Sequence, residues 1–199
     1  MARTTFYEES ATSVNAQTEA RIAKAYNIAS IIALSIAALI VFLSLTYIPS
    51  MFMMYEGVAL VLNLIVFFAP ILALVGLFFL FRHLKRKKNV SYDYTFVEDE
   101  VRITKVFNGK SRKFQHTLSA AQMLKIGYVD KDSFRRTLEG VRNKKAVYLT
   151  PNKEPAEGKI FIYILYSSSI EKTLYVLECR QQMLEYIVLA AGINKFERQ

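Results

Sequence analysis

Residues 26–81 read YNIASIIALSIAALIVFLSLTYIPSMFMMYEGVALVLNLIVFFAPILALVGLFFLF, and the fold follows from how this stretch is divided. Tyr26–Tyr47 is uncharged and built from Ile, Ala, Leu, Val and Phe. As a helix its 22 residues rise about 33 Å, enough to cross a bilayer core. Val58–Phe81 is a second uncharged run of 24 residues, rising about 36 Å, which a bilayer accommodates with some tilt. Between them, Ile48–Gly57 holds Pro49, Gly57 and one charge, Glu56, and reads as a short loop. A transmembrane hairpin over 26–81 is therefore expected, with spans 26–47 and 58–81.

The flanks orient it. Arg82, Lys85, Arg86, Lys87 and Lys88 follow the second span directly, Arg21 and Lys24 precede the first, and the intervening loop has no Lys or Arg. Positive residues near span ends stay on the cytoplasmic side, which places both termini in the cytoplasm of a multi-pass plasma-membrane protein. A cleaved signal peptide would have a shorter apolar stretch and a shorter leader than the 25 residues before Tyr26. Residues 1–25 form a cytoplasmic N-terminal segment whose composition allows either a helix continuous with the first span or a loose tail.

Within the spans, Ala29, Ala33 and Ala37 recur at i, i+4 and i+8, and Ala69, Ala73 and Gly76 make a similar stripe. Small residues at such spacing permit close helix approach, either within the hairpin or at a homo-oligomer seam. Asn63 has no ionisable partner in either span, so its expected role is a hydrogen bond to the other helix, at Ser35, Ser44 or Thr46. Pro70 predicts a kink.

The basic excess lies elsewhere. The chain carries a net charge of +9, but residues 1–81 hold three Lys/Arg against four Asp/Glu, whereas Arg82–Gln199 holds 23 against 13. From Asn89 onward, short alternating runs separated by turn residues replace the apolar blocks, the pattern of strands. Tyr92, Tyr94 and Phe96 alternate with Asp93, Thr95 and Val97. Glu98-Asp99 then turns into Val101–Phe107, and Asn108-Gly109 leads into Arg112–Leu118. Both residues of an Asn-Gly pair accept the positive φ of a tight hairpin. Met123–Val129, Lys145–Thr150, Lys159–Tyr166 and Lys172–Glu178 bring the expected total to seven strands. One helical turn fits around Ser133–Leu138, and Pro151–Gly158 and Ser167–Ile170 serve as connections. Met183, Leu184, Ile187, Val188 and Ala191 share one helical face ahead of Gly192, so a C-terminal amphipathic helix closes the domain. The expected fold class is thus a membrane α-helical hairpin plus an α+β or all-β domain over 89–199, with seven antiparallel strands and a C-terminal helix.

The hairpin, the Lys85–Lys88 run, the Tyr92-x-Tyr94-x-Phe96 strand, the Val101–Lys105 strand and the basic turn Lys110–Lys113 together resemble an uncharacterised bacterial family, common in Firmicutes. Its members are two-span membrane proteins with a cytoplasmic pleckstrin-homology-like (PH-like) domain. The resemblance covers most of the chain and implies a binding module without a catalytic signature. Phosphoinositide-binding PH domains place Lys and Arg around their first turn, where Glu98-Asp99-Glu100 stands here. The resemblance therefore implies no specific inositide pocket, while non-specific attraction to anionic phospholipid remains.

Two basic groups are candidate contact surfaces. Arg82, Lys85, Arg86, Lys87 and Lys88 anchor topology and are placed to meet anionic headgroups, at about 1 kcal/mol per cation. Lys131, Arg135, Arg136, Arg142, Lys144 and Lys145 form a solvated loop or a docking surface for an acidic protein partner, anionic lipid or nucleic acid. Nucleic acid ranks last, because the nearby Tyr128 and Phe134 suit a core better than base stacking. One cysteine and two histidines exclude a disulfide framework or a Cys/His metal site within one chain. No phosphate-binding glycine loop, nucleophile elbow or H-E-x-x-H helix is present. His116 lacks a nucleophile partner in the sequence. Cys179 stands beside Arg180, which would lower its thiol pKa, unless it is simply buried. The expectation is a non-enzymatic, cofactor-free scaffold module with an unidentified protein partner. The alternatives are an anionic-lipid sensor and an accessory subunit of a membrane transporter or envelope-enzyme complex.

Overall fold

The computed structural model describes residues 6–168 and 171–197. The chain separates into two compact units, residues 17–88 and residues 1–16 together with 89–199. The second unit is discontinuous. The helical unit is inserted within it.

The helical unit is a hairpin of α1 (Ala16–Met54) and α2 (Gly57–Lys87), both long and apolar enough to cross a membrane. The connection is shorter than the Ile48–Gly57 loop expected from the sequence. Only Tyr55 and Glu56 lie outside the helices, Gly57 opens α2 at φ +57°, and Pro49 and Pro70 are both inside helices. Both helices also run past the expected limits of 26–47 and 58–81, so the basic residues after Phe81 continue α2. Along α1, Ala23, Ser30, Ala37, Ser44 and Met51 are buried at intervals of seven, with Ala33 between. Seven-residue spacing keeps one seam facing a partner helix along the full length. On α2 the large residues Ile71, Phe67 and Phe81 supply the matching face, the tyrosine rings of Tyr26 and Tyr47 lying 6.1 Å from Phe81 and Phe67 respectively. The side chains of Asn63, Ser44 and Thr46 bond within their own helices. Asn63 donates to the Ala59 carbonyl at 2.9 Å, and Ser44 and Thr46 donate to the carbonyls of Val41 and Leu43, which replaces the expected interhelical bond. With no water to satisfy it, a side-chain donor in an apolar span takes the nearest carbonyl one turn back.

The other unit contains nine strands among the described residues, two more than expected. One sheet runs β1-β2-β3-β4, where β1 is Tyr7–Ala11, β2 Val90–Val97, β3 Glu100–Phe107 and β4 Ser111–Ser119. The other runs β6-β8-β7-β5-β9, with β5 Met123–Tyr128, β6 Ala146–Tyr148, β7 Ile160–Ser167, β8 Lys172–Cys179 and β9 Phe196–Glu197. The pairing is not wholly antiparallel, because β6–β8 and β5–β9 are parallel. The expected Ser167–Ile170 connection falls partly outside the described residues.

The first extra strand comes from the N-terminal segment. Tyr7–Ala11 pairs antiparallel with β2, Tyr7 opposite Phe96 and Ala11 opposite Tyr92, so the hairpin joins two neighbouring strands of one sheet. The helix alternative left open for this segment holds only from Ala16 onward. Glu98 and Asp99 both take positive φ in a two-residue turn, while Asn108-Gly109 forms part of a three-residue loop that includes Lys110.

Between the sheets, Tyr94, Ile103 and Leu118 meet Ile126, Ile164 and Leu177, and α4 (Gln181–Ala191) closes the core with Met183, Leu184 and Ile187. β7 and β8 are buried on both faces, since Tyr163, Leu174 and Val176 form a second cluster with Val141. α3 (Asp132–Glu139) covers that outer face with Phe134 and Leu138, two turns of helix where one was expected.

Candidate functional site

The basic surface begins with α3. Phe134 packs its ring 5.6 Å from Tyr163, and Thr137 donates to the Ser133 carbonyl at 2.7 Å, so the inward side of the helix is fixed. Its exposed residues are Arg135 and Arg136 together with the acidic Asp132 and Glu139. Lys131 precedes the helix, and Arg142, Lys144 and Lys145 lie in the connection to β6, all of them exposed. Among the described residues only Arg135 of the six forms an ion pair, with Asp132 at 3.7 Å, and its side chain remains 76% exposed. Such a contact contributes little. The group is a set of exposed cations, two on α3 and four on the segments flanking it, with the exposed Asp132 and Glu139 among them.

The basic group that follows Phe81 lies on the last turns of α2, with Lys88 as its C-cap. Cations there complement the partial negative charge of the helix end. Lys85 donates to Asn27 Oδ1 at 2.7 Å, and Arg82 stands 5.6 Å from the Phe78 ring centroid. Of the small residues, Ala33 and Ala37 lie in the hairpin seam and Ala29 is half-buried. Ala69, Ala73 and Gly76 are exposed, and nothing lies within 4 Å of where a Gly76 side chain would begin.

The basic turn Lys110–Lys113, named from the sequence, gains Lys105 from the neighbouring strand, a partner that the sequence does not place with it. Lys105 and Lys113 are directly opposite in the β3–β4 register, with Lys110 and Arg112 beside them. Like charges in that position repel. Lys105 lies 5.4 Å from the ring centroids of both Tyr92 and Phe107, a cation–π arrangement that offsets part of the repulsion. The Asn108 N–H donates to the Asn89 carbonyl at 2.9 Å, so this loop sits at the end of the sheet where β2 begins. The acidic turn Glu98-Asp99 is at the opposite end of the same hairpin.

The N-terminal strand is held by polar contacts that only the fold creates. Both Glu9 carboxylate oxygens accept from the Arg180 N–H at 3.2 Å, which caps α4, and Lys159 Nζ donates to the Ser10 carbonyl at 2.5 Å. Burial pushes the Glu9 carboxyl above its usual range, against the lowering effect of that backbone donor. Glu178 is fully buried and accepts from Thr150 Oγ1, from Asn152 Nδ2 at 2.8 and 3.0 Å, and from the Ala156 N–H at 3.0 Å. Asn152 then reaches outward, donating to the Thr12 carbonyl and accepting from the Val14 N–H, both at 2.9 Å.

Cys179 is fully buried, and burial drives its thiol well above the ordinary value, overriding the lowering expected from Arg180. His116 is held below its usual pKa by burial and lies 5.0 Å from the Tyr175 ring, an aromatic packing role. Among the described residues no three His, Cys, Asp or Glu side chains come together as a metal site.

The profile described as Bacterial PH-like domain (DUF6106) matches residues 14–193. The chain belongs to this family. The match runs through the hairpin as well as the strands, so the bacterial PH-like family includes the apolar helices within its own domain, while β1 lies ahead of the matched residues. No curated protein and no solved structure matches the chain.

Proposed function

We propose that this bacterial PH-like protein is a membrane-anchored binding module, not an enzyme, which engages an acidic protein partner at the cytoplasmic face. The observation that carries the reading is the surface around α3, where Arg136 on the helix and Lys131, Arg142, Lys144 and Lys145 on its flanks are exposed and, among the described residues, form no ion pair, while Phe134 and Leu138 fix the helix itself. A pre-positioned cationic patch attracts an opposite partner and orients its approach. The Lys/Arg flanks support a cytoplasmic orientation, and β1–β2 pairing, which needs residues 11 and 92 on one side of a two-span hairpin, supports both ends sharing that side.

The test is crosslinking in intact cells, followed by purification in mild detergent, of wild type and a Lys131/Arg135/Arg136/Arg142→Glu variant. A stoichiometric acidic protein recovered with wild type and lost with the variant is the expected result. Equal recovery from both, or recovery of lipid alone, overturns it.

A second reading rests on the β3–β4 loop. Lys105, Lys110, Arg112 and Lys113 gather beside Asn89, immediately after the Lys85–Lys88 run in the chain, a charge arrangement suited to anionic headgroups. Salt-sensitive enrichment of anionic over zwitterionic lipid with purified wild type, lost in a Lys110/Arg112/Lys113→Glu variant, distinguishes this contact from the α3 surface. Equal enrichment in the two proteins removes it.

A further inference from the structure

The edge of β5 carries a built receptor for a carboxylate, and the chain's own Glu197 occupies it. Lys125 Nζ lies 2.7 Å from Glu197 Oε1, and the Tyr163 hydroxyl lies 2.9 Å from Oε2. Tyr163 is fully buried, with its hydroxyl 3.3 Å from Ser133 Oγ. It reaches the edge through the space left by Gly127, where a Cβ would come within 2.8 Å of its ring. A fully buried tyrosine aimed through a glycine gap at a carboxylate held by lysine is more than a surface ion pair. The receptor is assembled from β5, β7 and α3. Burial pushes the Glu197 carboxyl up, but the bonds from Lys125 and Tyr163, with the lysine charge, outweigh it and hold the group below the usual carboxylate range.

The resident strand fits only part of this edge. Among the described residues β9 is two residues long and pairs with Ile126 and Gly127, two of the six residues of β5. The pairing is parallel, the weaker geometry per residue. Phe196 sets its ring edge-on against Tyr128 at 5.6 Å. Beside it, and lined in part by Phe196 itself, an open groove of about 650 Å³ runs along α4, with Tyr128, Leu184, Val188, Leu189 and Ile193 on its apolar side and Gln181 and Glu185 on its polar side. Leu189 is 68% exposed, Ile193 62% and Leu124 on β5 42%. An extended segment that carried the same aromatic–glutamate pair and continued along β5 would pair more of the backbone and cover the groove that β9 leaves open. Addition of a strand to a sheet edge draws affinity from main-chain hydrogen bonds and specificity from alternate side-chain pockets.

We propose that the β5 edge is a binding site for an extended partner peptide bearing an aromatic residue followed by a glutamate, and that Phe196–Glu197 is its resident competitor. The aromatic ring packs on Tyr128, the carboxylate enters the Lys125–Tyr163 receptor, and the tail is displaced. The inference rests on the reading of this chain as a binding module, but uses residues separate from the α3 cations.

The test uses the full-length protein in detergent and a labelled synthetic peptide of the tail sequence, INKFERQ, as probe. Wild type should bind it weakly, because the tethered tail competes, and Phe196→Ala/Glu197→Ala should bind it at least tenfold more tightly. Adding Lys125→Glu should abolish that gain, and the peptide INKFKRQ should restore it. An Arg135→Glu/Arg136→Glu variant should bind the probe as wild type does, even if the acidic partner is lost. Amide exchange across β7 and β8 checks the fold of each protein. Should the tail variant fail to fold, Lys125→Glu alone must speed exchange at Phe196–Glu197 at least tenfold while β7 and β8 stay protected. No affinity gain in a folded tail variant overturns the proposal. So does binding that follows Arg135 and Arg136 instead of Lys125, or exchange of β9 only together with β7 and β8.

Discussion

Replacing Asn152 by Ala tests how the N-terminal strand is tied to the rest of the sandwich. The amide donates to the buried Glu178 carboxylate at 2.8 and 3.0 Å and to the Thr12 carbonyl at 2.9 Å, and accepts from the Val14 N–H at 2.9 Å. A hydrogen bond to a charged group contributes about 1.5–3 kcal/mol, and a neutral one roughly 0.5–1.5 kcal/mol. The contacts to Thr12 and Val14 are exposed, so water recovers most of their share, whereas Glu178 is fully buried and, among the described residues, keeps donors from Thr150 and Ala156. The expected loss is about 2–3 kcal/mol, concentrated on the Glu178 contact. That loss should lower the unfolding midpoint; local opening of the 7–16 segment gives up only the exposed Thr12 and Val14 bonds, about 1 kcal/mol together, so its amides should exchange roughly fivefold faster. Hydrogen exchange with mass spectrometry on the full-length protein in detergent reads this directly, with β7 and β8 as internal reference. A change below threefold at residues 7–16, with an unaltered unfolding midpoint, would refute the argument that Asn152 and Glu178 secure this segment.

Three further outcomes are expected, one in the strand domain and two in the hairpin. Glu9 has a folded pKa raised above 4.5 by burial, so its protonated form favours the fold; that contribution is full below about 4.5 and is lost as pH rises through the raised value. Glu9→Gln, which keeps an acceptor for the Arg180 N–H, should therefore melt at or above the wild-type temperature at pH 7 and converge with it near pH 4; a lower melting temperature at pH 7 would mean that the carboxylate charge itself is needed to cap α4. In the hairpin, Ala37→Leu places a large side chain in the seam, where Ala37 is 3% exposed, and should cost about 1–3 kcal/mol by overpacking. Ala73→Leu, on the exposed side of α2, should leave thermal stability in detergent unchanged, and a shift in its oligomeric state by size-exclusion with light scattering would assign the Ala69, Ala73 and Gly76 stripe to self-association.

The apolar blocks, the absence of Lys and Arg between them, the alternation of Tyr92, Tyr94 and Phe96 and the helical spacing from Met183 to Ala191 are local signals. Solvent preference and backbone periodicity act residue by residue, so the hairpin, most strands of the domain, the closing helix and the basic clusters contiguous in the chain could be read without a structure. Residues 7–11 read YEESA and give no such signal: only Ala11 of the five is buried, and the strand exists because β2, 79 residues or more downstream, offers its edge. β9 is two residues long, too short for any periodicity. Lys105 and Lys113 become neighbours through register, and Lys125, Gly127, Tyr163 and Glu197 form one receptor through sheet pairing, although nothing in their spacing relates them. Tyr163 looks like any apolar strand residue until the gap at Gly127 shows where its hydroxyl goes. Sequence alone therefore determined which segments prefer lipid, sheet or helix, because that preference belongs to each segment; tertiary structure alone decided which distant backbones pair and which charges share a surface, because those depend on what packing brings together.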